Sequence, residues 1–123
     1  MFRTLILIGI GGGAGSILRF LTTVGVNRYL PSAFPWGTFA VNIVGSFLAG
    51  IVLSFASKSG EQAEQWRFLL MTGFCGGYTT FSAFTAENLT LLQSGQSFTA
   101  LLYILSSVLS SLLAIWAAFL LMR

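Results

Sequence analysis

Four apolar runs separated by short polar breaks organise the chain, at residues 4–26, 33–56, 68–92 and 98–122. Each run is near or above the ~20 residues that an α-helix needs to cross a bilayer. The pattern therefore predicts an all-α membrane protein, with four transmembrane helices in a single domain over residues 1–123. Asn27, Arg28, Tyr29 and Pro31 close the first run, and Pro35-Trp36 opens the second. The one frankly polar loop is SKSGEQAEQW at 57–66, and SGQS at 94–97 is a tight turn between the last two spans. Tyr29, Trp36 and Trp66 fall near span ends, where aromatic rings favour the headgroup region. The first run is too long for a cleaved signal peptide and lacks an obvious small-residue cleavage site.

Polar and small residues inside the runs carry the next layer. GIGGGAGSILRF, at 9–20, holds the pairs Gly9/Gly13 and Gly11/Gly15. Small residues four apart let helix backbones approach closely in lipid, where packing rather than hydrophobicity drives association. The same letters imitate a dinucleotide fingerprint, but that motif needs a strand before it and a helix after it.

In the second run, Thr38, Asn42 and Ser46 share one helical face, with Val41, Gly45 and Ala49 as a small stripe beside them. A carboxamide buried unpaired in hydrocarbon costs several kcal/mol. Asn42 therefore either bonds across helices or lines a polar path. In the fourth run, Tyr103, Ser107 and Ser111 repeat the i, i+4, i+8 spacing, with Ser106 and Ser110 alongside. Membrane serines usually bond back to their own helix, yet such a crowd of hydroxyls can also point protons at something negative.

GFCGGYTTFSAF, at 73–84, interrupts the third run. Gly73, Gly76 and Gly77, with Thr79, Thr80 and Ser82, are poor helix formers near its middle, so the third helix is predicted to be broken at mid-membrane. Glycine permits non-helical dihedrals, and irregular backbone at membrane depth must be buried in protein or line a cavity. Loose carbonyls at such breaks face cations; a glycine-rich packing surface is the plainer alternative. Phe81 and Phe84 follow one turn apart. An aromatic ring has a positive edge, so edges facing an ion would select a small anion.

Composition agrees with the segmentation: 55% of the 123 residues are hydrophobic and 7% charged, with a mean hydropathy of +0.87. Soluble domains carry about 25% charged residues. The net charge of +3 comes from scattered residues, which argues against nucleic acid as a partner. Arg3, Lys58, Arg67 and Arg123 fall on one side of a four-span topology, and Arg28 and Arg19 on the other, a weak positive-inside bias. Cys75 is the single cysteine, so no intrachain disulfide forms. There is no histidine, no nucleophile–base set and no metal-ligand cluster, so the chain reads as no enzyme.

GGGAGSILRF, GTFAVNIVGSF and GFCGGYTTFSAF, in that order along a chain of this length, strongly resemble the signatures of the Fluc (CrcB) fluoride channels of microbes. The resemblance implies a fluoride-selective channel that exports fluoride passively and confers fluoride resistance. It implies a multi-pass protein of the plasma membrane (a bacterial inner membrane), assembled as an antiparallel, dual-topology dimer with a second copy of itself in the lipid bilayer. A structural sodium ion at the dimer centre would be held by the backbone carbonyls of Gly76 and Thr79. Phe81 and Phe84 match pore phenylalanines and Asn42 a pore asparagine, with Ser82 beside them. Tyr103, Ser107 and Ser111 match a polar track; Arg19, Thr38 and Glu87 are supporting positions. Ala83 stands where many relatives carry threonine, and Phe20 where tyrosine is frequent. Some relatives work as pairs of oppositely biased chains.

Two rival readings stay open. A small proton-coupled exporter of the four-span, antiparallel-dimer type needs an ionisable residue in a span, and Glu87 is its only candidate. A purely structural or assembly role would leave the aligned Asn, Ser and Phe positions unexplained.

Overall fold

The computed structural model describes residues 1–123 and is helical throughout, in the order expected. Helix α1 spans Phe2–Tyr29 and α2 spans Trp36–Ala56. After a short turn at Gly60–Gln62, α3 (residues 63–78) runs from an ordinary turn, Ala63–Trp66, through a widened stretch, Arg67–Cys75, to Gly76–Tyr78. In the widened stretch the helix is of the π type, and it ends with the Gly76 amide reaching back five residues to the Met71 carbonyl. Helix α4 (Phe81–Gln93) and helix α5 (Ser97–Met122) complete the chain. Three helices, α1, α2 and α5, are each long and apolar enough to cross a membrane. The third predicted span is two pieces, α3 and α4.

Only 22 of 123 residues are buried, and most large apolar side chains face outward. That inside-out distribution suits a chain solvated by lipid, so backbone proximity has to hold the bundle together. Two small cores do form. One joins Ala49 and Val52 of α2 to Cys75, with Phe74 and Ile115 packed against them. The other joins Phe84 and Leu91 of α4 to Ala100 and Tyr103 of α5, with Phe34 and Phe39 against them.

The glycines act differently from the expectation. Gly76 has φ −62° and ψ −37°, an ordinary helical conformation, and the chain does not unwind at the glycines. They serve packing instead. A Cβ on Gly11 would collide with Leu69 O and lie 2.9 Å from Phe74 N; one on Gly15 would collide with Phe74 O. One on Gly77 would collide with Gly12 O. The α1–α3 seam is therefore a backbone-to-backbone contact. Of the two pairs in α1, Gly11/Gly15 makes this seam, whereas Gly9 and Gly13 meet nothing within 4 Å.

The helix ends are pinned by side chains from neighbouring segments. Asn27 Oδ1 accepts the Gly37 amide at 3.0 Å, closing the α1–α2 loop. At the other end of the bundle, Arg3 donates to Gln65 (3.0 Å) and Lys58 to the Met122 carbonyl (2.5 Å).

Candidate functional site

The break lies at two threonines. Thr79 (φ −79°, ψ 157°) and Thr80 (φ −148°, ψ 121°) are extended, between helical Tyr78 and helical Phe81. Thr80 is the N-cap of α4: its Oγ1 accepts the Ala83 amide at 3.1 Å. Threonine is favoured in that role because its side chain satisfies an otherwise orphaned amide of the first turn.

Asn42 holds the break from across the bundle. Its Oδ1 accepts the Thr80 amide at 2.7 Å, and its Nδ2 donates to the Thr80 carbonyl at 3.0 Å. The carboxamide thus pairs with one residue's backbone as a neighbouring strand would. Leaving either backbone group buried without a partner would cost about 1–3 kcal/mol. Of the two alternatives posed for Asn42, the interhelical bond is present, and one Nδ2 hydrogen is left over for the space beside it.

These two diversions have a consequence for the carbonyls. In an unbroken helix the Thr80 amide would reach the Gly76 carbonyl, and the Ala83 amide the Thr79 carbonyl. Here those amides go to Asn42 and to Thr80 Oγ1. Gly76 O and Thr79 O are thereby released from the ladder. Thr79 itself stays tied to Cys75 O through both its amide (2.9 Å) and its hydroxyl (2.8 Å).

Beside the break opens a cavity of about 270 Å³, lined by Asn42 and Ser46 of α2, Thr79, Thr80, Phe81 and Phe84 at the break, and Ser107 and Ser111 of α5. The two ring centroids of Phe81 and Phe84 are 5.7 Å apart at 37°. Phe84 is 8% exposed and packs on Tyr103 at 4.9 Å, whereas Phe81 is 76% exposed at the rim. A single copy therefore leaves one wall of this cavity open.

Five of the pathway residues expected from the sequence meet here: Asn42, Phe81, Phe84, Ser107 and Ser111. Tyr103 lies behind Phe84, fully buried, and does not line the cavity. Ser82 is exposed, 3.3 Å from Thr80 Oγ1, and does not line it either. Arg19, Thr38 and Glu87 line a different cavity, of about 560 Å³ between α1 and α4, with Ser16, Asn27 and Ala83. There the Thr38 hydroxyl donates to Glu87 Oε1 at 2.5 Å. Because Ala83 faces this second cavity, the hydroxyl it lacks is not missing from the wall beside Phe81 and Phe84. Thr80 borders both cavities.

The serines of α5 divide. Ser106 bonds back to the Leu102 carbonyl at 2.5 Å, the ordinary fate of a membrane serine. Ser107 Oγ is buried and makes no bond to its own helix. The sequence reading named Thr80 only as a poor helix former and missed its capping role, and it missed Asn88 altogether. Thr80 could have been found as an N-cap threonine ahead of an apolar turn. Asn88, buried on α4, carries no signal beyond being a lone amide in an apolar run.

The CrcB-like protein (camphor resistance, CrcB) family model matches residues 6–119. The fluoride-specific ion channel FluC of Flavobacterium psychrophilum is 47% identical over 114 residues, covering 93% of this chain and 92% of its own. The Campylobacter lari protein of the same name is 44% identical over 123 residues, the full length of both chains. That of Rhizobium meliloti is 44% identical over 119 residues, covering 97% and 95%. A match spanning nearly all of the helical bundle, with relatives of equal length, places this multi-pass membrane chain in the CrcB family.

Proposed function

We propose that this protein is a fluoride-selective channel that lets fluoride leave the cytoplasm by passive electrodiffusion, and that two copies form it in antiparallel orientation. The observation that carries this reading is the cavity at the break, where amide, hydroxyl and aromatic groups meet with no carboxylate among them. Fluoride is small and strongly hydrated. A site that admits it has to replace its water shell with many weak donors, none so strong that the ion is trapped. The spare Nδ2 hydrogen of Asn42, the hydroxyls of Ser107 and Ser111, and the positive ring edges of Phe81 and Phe84 are such donors. Tyr103, packed against Phe84, backs this cavity without lining it.

What supports pairing is the wall that one copy leaves open: Phe81, at the break, is 76% exposed. Antiparallel pairing sets two breaks against each other at the bilayer centre. The released carbonyls of Gly76 and Thr79 are neutral oxygens, the donor type that unwound membrane helices offer to sodium. They would hold a sodium ion, whose charge would join the two breaks; the chain's own part is to keep those oxygens unpaired, through Asn42 and the Thr80 cap.

The driving force needs no nucleotide. Hydrogen fluoride crosses membranes as a neutral molecule and ionises in a near-neutral cytoplasm. An inside-negative potential then drives the anion outward with about 2.3 kcal/mol per 100 mV. Transport of this kind is the conferred resistance.

The test is fluoride efflux from liposomes that contain only this purified chain, followed with a fluoride electrode. Efflux that depends on a potassium ionophore, is absent for chloride and is lost in Phe81→Ile is the expected result. Efflux that demands a proton gradient would instead favour a proton-coupled exporter working through Glu87. Silence restored by a second, oppositely inserted chain would replace self-pairing with a mixed pair, and silence without rescue would refute the channel.

A further inference from the structure

The loop between α1 and α2 is tied down around a single ring. Pro31 and Pro35 restrict its backbone. The Ser32 hydroxyl oxygen accepts the Phe34 amide at 3.2 Å, and the same hydroxyl donates to the Phe34 carbonyl at 3.3 Å. That carbonyl also accepts the Trp36 amide at 2.9 Å. Residues 31–33 are exposed, whereas the Phe34 side chain turns inward and is half-buried.

From Phe34 a file of rings runs to the cavity at the break. Phe34 meets Tyr103 with centroids 5.2 Å apart at 71°, and Tyr103 meets Phe84 at 4.9 Å and 58°. Phe84 then meets Phe81 at 5.7 Å. Phe34 is braced in turn by Trp36 at 4.4 Å and Phe39 at 5.4 Å. Tyr103, 0% exposed, is the ring common to the loop and the cavity wall. Phe34 itself lines no part of that cavity.

Building on the channel reading, we propose that Phe34 is a positioning residue of the anion path: through the Tyr103 ring it holds the Phe84 ring with its edge toward the cavity. The helix fixes where the Phe84 side chain starts, but the torsion that turns its ring is broad, so neighbours set the plane. The plane matters because a ring is positive at its edge and negative on its face. A tilt of Phe84 therefore replaces attraction for an anion with repulsion. Close packing leaves Phe84 no room to tilt while Tyr103 is held, and Phe34 holds it from the loop. An aliphatic side chain at position 34 would open space beside Tyr103 and free both rings.

The experiment records single-channel fluoride currents from the whole chain in planar bilayers, beside the fraction of liposomes that empty at low protein density. The unitary current reports conduction through each channel, and the fraction counts folded channels. An aromatic pair contributes up to about tenfold in an equilibrium, so Phe34→Leu should lower the unitary current about three- to tenfold and leave the fraction at its wild-type level. Phe34→Tyr keeps the ring, and the space of about 420 Å³ beside Phe34 has room for its hydroxyl, so its current should stay within about twofold of the wild type. In Tyr103→Phe, which keeps the intermediate ring, Phe34→Leu should lower the current by the same factor as in the wild type. In Tyr103→Leu it should add nothing. Should Phe34→Leu not purify as a folded species, Phe34→Met takes its place. An unchanged current in the aliphatic variant, or a loss confined to the fraction of emptied liposomes, would reduce Phe34 to fold support and overturn the proposal. So would Phe34→Tyr as poor as Phe34→Leu, or an undiminished effect in Tyr103→Leu. A wild-type chain that passes no fluoride removes the channel reading itself, and this one with it.

Discussion

Gly15→Ala and Gly13→Ala add the same methyl group to the same helix, two residues apart, and the bundle should respond in opposite directions. At Gly13 a Cβ meets nothing within 4 Å. The change there should stabilise the helix by up to about 1 kcal/mol, the propensity difference between glycine and alanine. At Gly15 the Cβ lies 2.8 Å from Tyr78 N and collides with Phe74 O. Both obstacles are backbone, so no side chain can rotate away. Ordinary contact at Tyr78 N begins at 3.4 Å, so α1 and α3 must part there by at least 0.6 Å. A gap of that size forfeits roughly a quarter to a half of each dispersion contact along the seam. Overpacking of this kind costs about 1–3 kcal/mol, against which the propensity gain is small. The propensity gain is common to both variants, so they should differ by the overpacking cost alone, about 1–3 kcal/mol, with Gly15→Ala the weaker. Unfolding by increasing denaturing detergent, read from the fluorescence of Trp36, Trp66 and Trp116, measures it. Two curves within about 0.5 kcal/mol of each other, the scale of a neutral surface change, would refute the packing argument.

Three other outcomes follow from the break. Asn42→Ala strands the Thr80 amide and carbonyl, and should lower unfolding free energy by about 2–4 kcal/mol; a smaller loss than about 1 kcal/mol in the same titration would mean the pairing carries little. Phe84→Ile removes a buried ring packed on Tyr103 and should destabilise the fold, whereas Phe81→Ile, at an exposed rim, should leave unfolding unchanged while abolishing efflux. Parallel melts and flux assays on the two variants separate these effects, and equal destabilisation would contradict the burial difference. Replacing sodium with a bulky organic cation should lower the melting temperature of the paired channel; an unchanged melt would remove the central cation from the proposal.

The long helices were legible because hydropathy alone marks a segment that lipid must solvate. The third span shows where that legibility ends. GFCGGYTTFSAF announces a break, but composition spreads it over Gly73, Gly76, Gly77, Thr79, Thr80 and Ser82, with the glycines the freest to bend. Packing decides among them: Gly73 and Gly77 are needed as flat helical surface against α1, and the kink falls on Thr79 and Thr80. Asn42 is what makes that possible, and a partner 38 residues away in sequence is invisible to any local pattern. The stripe Tyr103, Ser107, Ser111 correctly named one helical face, yet the face is not one environment. Ser107 and Ser111 border open space and Tyr103 is sealed behind a ring. Helical periodicity gives direction around the axis, whereas depth along it depends on neighbours such as Phe84.

The contacts Arg3–Gln65 and Lys58–Met122 bring the first turn of α1 and the last turn of α5 to the same polar loop. An engineer wishing to join two copies into one polypeptide would thus begin and end each copy on the same face. A simple flexible tether would hold the copies parallel. To make an obligately inverted tandem, the tether itself would have to cross the bilayer once, so the smallest such fusion carries an extra hydrophobic helix between its halves.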